Sequence, residues 1–164
     1  MTSAIKLYPT RNDLSEDTRR RVVSLLQARL SDALDLEAQM KQAHWNVRGP
    51  AFFQLHQLFD AVHDEVEEHV DMLAERITAL GAIADGDVRT TARSSTLAPY
   101  PSEPLSAESH IERVAAALGA FGATTRAAID TAAGLDDAGS ADLLTEISRA
   151  IDKQLWLVEA HHAG

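Results

Sequence analysis

The polar side chains with the clearest chemical potential form two pairs on one stretch of the chain. His56 and Asp60 are four residues apart, and so are Asp71 and Glu75. If this stretch is an α-helix, all four side chains fall within about 100° of its surface, away from its apolar stripe. Side chains four residues apart on a helix are neighbours. The pattern therefore predicts two half-sites for a metal ion on one helix face.

The two pairs are too far apart to bind the same ion. At about 1.5 Å of rise per residue, their centres are about 20 Å apart along the helix. A two-fold-related copy of the helix, packed antiparallel with the axis near Glu65 and Val66, places the first pair of one chain beside the second pair of the other. This arrangement predicts two identical sites between subunits. His44, just before a turn, is the candidate third ligand beside His56.

The donor set indicates which ion such a site prefers. Two imidazoles and three carboxylates favour a hard-to-borderline divalent ion such as Fe²⁺, with positions left for water or an oxidant, and zinc is the alternative. The chain has no cysteine, which excludes thiolate ligands and iron–sulfur clusters. Trp45 is an oxidisable ring next to His44, and packing at an interface is its alternative role.

Four apolar-periodic stretches predict the helices that position these residues. Their expected ranges are about 15–47, 51–80, 106–134 and 140–162, with a short helical turn near 87–94. Two helical hairpins joined by a long crossover between helices two and three predict an all-α, ferritin-like four-helix bundle. We expect one domain over residues 1–164, with 1–13 as a short N-terminal tail.

The charge balance favours cations as partners. The chain has 25 acidic and 15 basic residues and a formal net charge of −10, which attracts cations and repels nucleic acid. The local exception is the run Arg19, Arg20 and Arg21, a candidate DNA-facing patch or, alternatively, a solvated helix face. Without a secretory leader or an 18-residue apolar run, we expect a cytoplasmic protein that does not contact a membrane.

The remaining histidines are interpreted as secondary features. His63 is interpreted as a plain surface or interface residue, and His69 as a support for the ligands. Glu159 and His162 form a Glu-x-x-His motif at the C-terminal tail. Ferritin-like di-iron proteins use this motif twice inside one bundle, and a second copy does not occur here. A di-iron site within one subunit is therefore disfavoured.

Several segments resemble the Dps family of mini-ferritins, the DNA-binding proteins from starved cells. The similarity extends over nearly the whole chain. It is strongest around the candidate ligands and continues into both ends. The segments are LYPTRND at 7–13, KQAHWNVRG at 41–49, the pair His56 and Asp60, HVDMLAER at 69–76, Tyr100 with Pro101, and IDKQLW at 151–156.

The resemblance implies a hollow homododecamer with di-iron ferroxidase centres at its two-fold interfaces. Carried over by position, one subunit provides three ligands and its partner provides two. It implies that iron enters through acidic three-fold pores, for which residues 136–142 are the candidate here. The ligands would be His44, His56 and Asp60 from one subunit, and Asp71 and Glu75 from the other.

The implied activity is that of a ferroxidase, an oxidoreductase. The family oxidises Fe²⁺, preferably with hydrogen peroxide, and stores the ferric product as a mineral, which protects DNA from oxidative damage. One alternative is a non-specific DNA-binding, nucleoid-compacting protein with little catalytic role. Members that condense DNA use a longer, lysine-rich tail, whereas this tail has only Lys6 and Arg11. A second alternative is a shell whose sites hold zinc and mainly join dimers.

Overall fold

The computed structural model describes residues 5–162, which form helices and no strands. Two long hairpins, α1 with α2 and α4 with α5, pack against each other through α1 with α4 and α2 with α5. The predicted all-α bundle with its long crossover is confirmed. No helix in the described part of the chain has the length and apolar character needed to cross a membrane. The helices are α1 (Glu16–Asn46), α2 (Phe52–Ala79), α3 (Val88–Ser94), α4 (Ala107–Gly134) and α5 (Ala138–Glu159).

Polar caps determine where most helices begin. The side chains of Ser15, Asp87 and Ser106 each accept a backbone N–H from the first turn of α1, α3 and α4, as N-cap residues do. The predicted start of α5 near Ser140 is wrong by two residues. Asp137 caps this helix instead, because its carboxylate accepts both the N–H and the hydroxyl of Ser140, at 2.9 and 2.6 Å.

The apolar stripe of α2 faces the bundle core and leaves the opposite side of the helix for polar residues. Its members recur at steps of three, four or seven and are at most 1% exposed. Burying each such side chain stabilises the fold by about 1.5–3 kcal/mol. The stripe therefore sets the rotation of α2 and presents its polar face outward. Its members are Leu55, Phe59, Val62, Val66, Leu73 and Ile77.

The crossover is held on α1 by polar contacts. Asp32, fully buried on α1, accepts the N–H of Thr96 at 2.6 Å and pairs with Arg29 at 2.9 Å. Gln39, two turns further along α1, donates to the carbonyl of Ala98 at 3.1 Å. These contacts satisfy buried polar groups on both segments.

The N-terminal segment lies against the end of α2. The N–H of Tyr8 donates to the carbonyl of Gly81 at 2.6 Å, and Gly81 has the left-handed φ of +90° that favours glycine. Part of the predicted tail is therefore bonded to the bundle, while residues 1–4 lie outside the described range.

Of the three consecutive arginines, Arg20 and Arg21 are exposed and only Arg19 is buried. Arg19 is 6% exposed and donates to the carbonyls of Leu80 and Leu14, at 3.1 and 3.3 Å. It satisfies a carbonyl at the C-terminal end of α2, which has no partner within that helix. Arg20 pairs with Glu16 on the same helix face at 2.8 Å. The expectation of a joint DNA-facing or solvated surface is therefore wrong for Arg19.

Candidate metal centre

The α1–α2 hairpin brings two predicted ligands, His44 and His56, face to face. Their rings stack with centroids 3.6 Å apart. His44 Nδ1 lies 2.7 Å from the carbonyl of His56, and His56 Nδ1 lies 2.8 Å from the carbonyl of His44. A carbonyl can only accept, so each Nδ1 carries a proton and donates. In the neutral rings both Nε2 atoms then keep the lone pair that binds a metal ion.

Asp60 lies one turn after His56 and contributes a carboxylate to the same region. Its Oδ1 forms an ion pair with the ammonium of Lys41 and lies 3.8 Å from His44 Nδ1. The hydrogen bond from Lys41 lowers the pKa of Asp60. Asp60 is therefore ionised, as a metal ligand must be.

Asp71 and Glu75 lie three to four turns further along α2 and are exposed to solvent. Asp71 lines an acidic groove of about 470 Å³ together with Glu37, Glu67 and Glu68. One chain thus brings His44, His56 and Asp60 together, whereas Asp71 and Glu75 lie further along α2. The five predicted ligands therefore lie in two separate groups within one chain.

Exposed aromatic rings surround the tip of the α1–α2 hairpin. Trp45, Phe52 and Phe53 are 68%, 42% and 59% exposed, and the ring of Phe52 contacts that of His56 at a centroid distance of 5.0 Å. Adjacent exposed apolar side chains are typical of surfaces that bind another molecule. Trp45 is therefore an exposed aromatic ring directly after His44 in the chain.

The sequence interpretation missed a third group of potential ligands on α2. His63 is not a plain surface residue, because only 12% of its side chain is exposed and it lies between Glu37 and Asp64. One ligand atom from each of His63, Asp64 and Glu67 lies within 4.8 Å of the others. The spacing of four residues between His63 and Glu67 was the available signal.

Two further sequence interpretations are changed by burial. His69 is 3% exposed within the apolar side of α2, and burial lowers its pKa. Asp137, in the segment predicted to line an iron pore, is 2% exposed and pairs with Arg76 at 2.8 Å. Asp137 is therefore not available to a pore, whereas Asp136 and Asp142 are exposed.

Comparison with known proteins agrees with this architecture. The family profile of the ferritin-like domain matches residues 23–163. The DNA protection during starvation protein of Agrobacterium fabrum is 34% identical over 157 residues, which cover 96% of this chain and 97% of that protein. The structure of DpsC from Streptomyces coelicolor is similar with a TM-score of 0.92 and 31% identity, covering 98% of this chain and 93% of that one. For Dps from Mycobacterium smegmatis the TM-score is 0.89 at 31% identity, covering 100% and 96%. The chain therefore belongs to the ferritin-like family and, within it, to the Dps family.

Proposed function

We propose that this chain is the subunit of a dodecameric ferroxidase and iron store. One observation supports the proposal: the α1–α2 hairpin stacks two of the predicted ligands, His44 and His56, and places Asp60 3.8 Å from His44. Both histidines have Nδ1 bonded to a backbone carbonyl, and the hydrogen bond from Lys41 lowers the pKa of Asp60. The other two carboxylates, Asp71 and Glu75, lie about 20 Å away on the same helix.

The reaction we propose converts Fe²⁺ and hydrogen peroxide into a ferric mineral. Two ferrous ions each lose one electron, and the two electrons reduce one hydrogen peroxide to two hydroxides, so that no hydroxyl radical is released. The hydroxides and two water molecules combine with the ferric ions to form ferric oxyhydroxide, and four protons are released. Three carboxylates favour Fe³⁺ over Fe²⁺ because anionic ligands stabilise the higher charge. The neutral imidazoles bind the ferrous ion without adding charge. Consumption of both reactants protects DNA from oxidative damage.

Lys41 is the basic side chain that pairs with the predicted ligand Asp60. Its ammonium forms an ion pair with Asp60, so the fold does not have to stabilise an unpaired carboxylate beside two imidazoles. A cation that binds Asp60 competes with the ammonium for the same oxygen. We infer that Lys41 is displaced when iron binds.

The proposal is tested by removing one ligand from each half-site. His44→Ala and Asp71→Ala are each expected to reduce peroxide-dependent Fe²⁺ oxidation more than tenfold, because each site loses a ligand. Both variants should still assemble into a particle of twelve 17.8-kDa chains, measured by light scattering. Asp130→Ala, at an exposed position of α4, is the matched control. Wild-type oxidation kinetics in both ligand variants would overturn the proposal.

The two alternatives have their own tests. The named relative from Agrobacterium fabrum is a DNA protection protein, but the burial of Arg19 removes one of the three arginines from any DNA-binding surface formed by this run. Retarded DNA migration at low salt that disappears with added salt would favour the nucleoid-compacting alternative. Metal analysis of protein purified without added metal, followed by Fe²⁺ titration, separates an iron site from a zinc site that joins dimers.

A further inference from the structure

The imidazole of His56 contacts two other rings. It stacks on His44 with centroids 3.6 Å apart and planes inclined by 22°. The ring of Phe52 lies at a centroid distance of 5.0 Å from His56, with its plane inclined by 34°. Within residues 5–162, Phe52 is the one aromatic ring without a ligand atom that contacts a predicted ligand. It therefore lies next to the half-site without being part of it.

The spacing of Phe52 and His56 makes this contact part of the helix itself. The two residues are four positions apart on α2, so their side chains are neighbours on one face. Rings at this separation and tilt attract each other beyond the effect of burial alone. The contact therefore restricts the rotation of the imidazole of His56.

The start of α2 depends on such side-chain contacts more than the starts of the other helices. Its N-cap residue, Ala51, makes no side-chain hydrogen bond, whereas the other four helices within residues 5–162 each begin with a side-chain cap. Phe52 is the first residue of α2. Its ring therefore ties an uncapped first turn to His56 in the second turn.

His56 in turn holds the end of α1. Its Nδ1–H donates to the carbonyl of His44 at 2.8 Å, and His44 belongs to the last turn of α1, where carbonyls have no partner within the helix. A rotation of the imidazole would break this hydrogen bond and also redirect Nε2, the nitrogen left for a metal ion. The orientation of one ring thus matters at both ends of the hairpin turn.

We propose that Phe52 is a positioning residue for His56, an inference that rests on the proposed function. Its ring holds the imidazole with Nδ1–H on the carbonyl of His44 and with Nε2 directed toward the metal ion. Without it, part of the binding free energy is spent on ordering the imidazole. Loss of the ring therefore weakens metal binding but leaves the oxidation step itself unchanged, because Phe52 offers no atom to the metal or the oxidant.

The test measures Co²⁺ binding to the assembled protein by calorimetry, following the binding that disappears in His56→Ala. Phe52→Ala and Phe52→Leu should each weaken it by roughly three- to tenfold, because neither side chain has a ring to stack on His56. Phe52→Tyr keeps the ring and should bind Co²⁺ within about twofold of wild type. In peroxide-dependent oxidation, Phe52→Leu should raise the Fe²⁺ concentration at half-maximal rate by the same factor. Its maximal rate should equal that of wild type.

Phe53→Ala is the matched control, because Phe53 is the neighbouring exposed phenylalanine and its ring contacts neither histidine among the described residues. It should leave Co²⁺ affinity within about twofold, as surface substitutions usually do. The proposal is overturned if Phe52→Leu binds Co²⁺ as tightly as wild type, if Phe53→Ala weakens binding equally, or if Phe52→Tyr does not retain it. Phe52→Leu decides the matter if Phe52→Ala does not assemble.

Failure of the proposed function gives a different result. Wild-type protein that binds Co²⁺ at His56 but does not oxidise Fe²⁺ overturns the ferroxidase proposal and leaves the positioning of His56 by Phe52 to be decided by the affinities. Wild-type protein that binds no Co²⁺ at His56 overturns both proposals.

Discussion

A site shared between two subunits can be divided between two inactive variants and recovered by mixing them. The first variant, His56→Ala with Asp60→Asn, destroys the histidine half-site and keeps the carboxylate half-site. The second, Asp71→Asn with Glu75→Gln, does the reverse. Each variant alone is expected to lose rapid Fe²⁺ oxidation, because every site in its shell lacks two ligands.

The expected recovery follows from the two-fold symmetry. In a mixed dimer, one site combines both damaged halves and the other combines both intact halves, so one of its two sites is fully restored. Random pairing at equal expression makes half of the dimers mixed. About a quarter of all sites should therefore be intact, and the initial oxidation rate should recover to about a quarter of wild type.

The assay is co-expression of the two variants with different affinity tags, purification through both tags, and measurement of ferric absorbance after peroxide is added. Shells mixed after separate purification serve as the control, because their dimers formed before the two variants met. Recovery only in the co-expressed sample supports the shared site. If the co-expressed shells are as inactive as their parents, or if either variant alone is active, the two-subunit arrangement is refuted.

Three further predictions concern stability. Arg76→Met leaves the buried carboxylate of Asp137 without its cation, and urea denaturation should show a loss of about 3 kcal/mol in the free energy of unfolding. Burial raises the pKa of Tyr100 from 10.0 to about 12. Between these pH values the unfolded chain loses the phenol proton first, so the free energy of unfolding should fall as the pH rises. In Tyr100→Phe the free energy of unfolding should fall less steeply with pH. In Gly81→Ala, φ stays at +90° and the new Cβ lies 2.8 Å from the carbonyl oxygen of Tyr8. Calorimetry should show a lower melting temperature and a destabilisation of about 1–2 kcal/mol, and an unchanged melting temperature would contradict this account of the turn.

The helices and the face of α2 that carries the ligands could be predicted from the sequence because the relevant physics is local. Apolar residues at steps of three and four determine which side of a helix is buried. The caps Ser15 and Ser106 act on N–H groups three residues away. The same periodicity places Asp71 and Glu75 on the outer face of α2, about 20 Å from the other pair.

The remaining features depend on contacts between residues far apart in the chain, which periodicity does not describe. Arg19 meets the carbonyl of Leu80, and Arg76 meets Asp137, each across about sixty residues. From the sequence alone, charged residues near helix ends are expected to lie in solvent. Only tertiary packing shows that these side chains satisfy buried polar groups.

The candidate site also has some properties that follow from the sequence and others that depend on tertiary contacts. The sequence by itself determined which residue types can bind a cation and that no single chain can gather all five, because residue identity and helical rise are sufficient for both conclusions. The tertiary structure alone decided which nitrogen of each histidine is free, that Lys41 holds Asp60, and that Glu37 faces His63. These properties are set by hydrogen bonds between α1 and α2, whose geometry exists only after the two helices have packed.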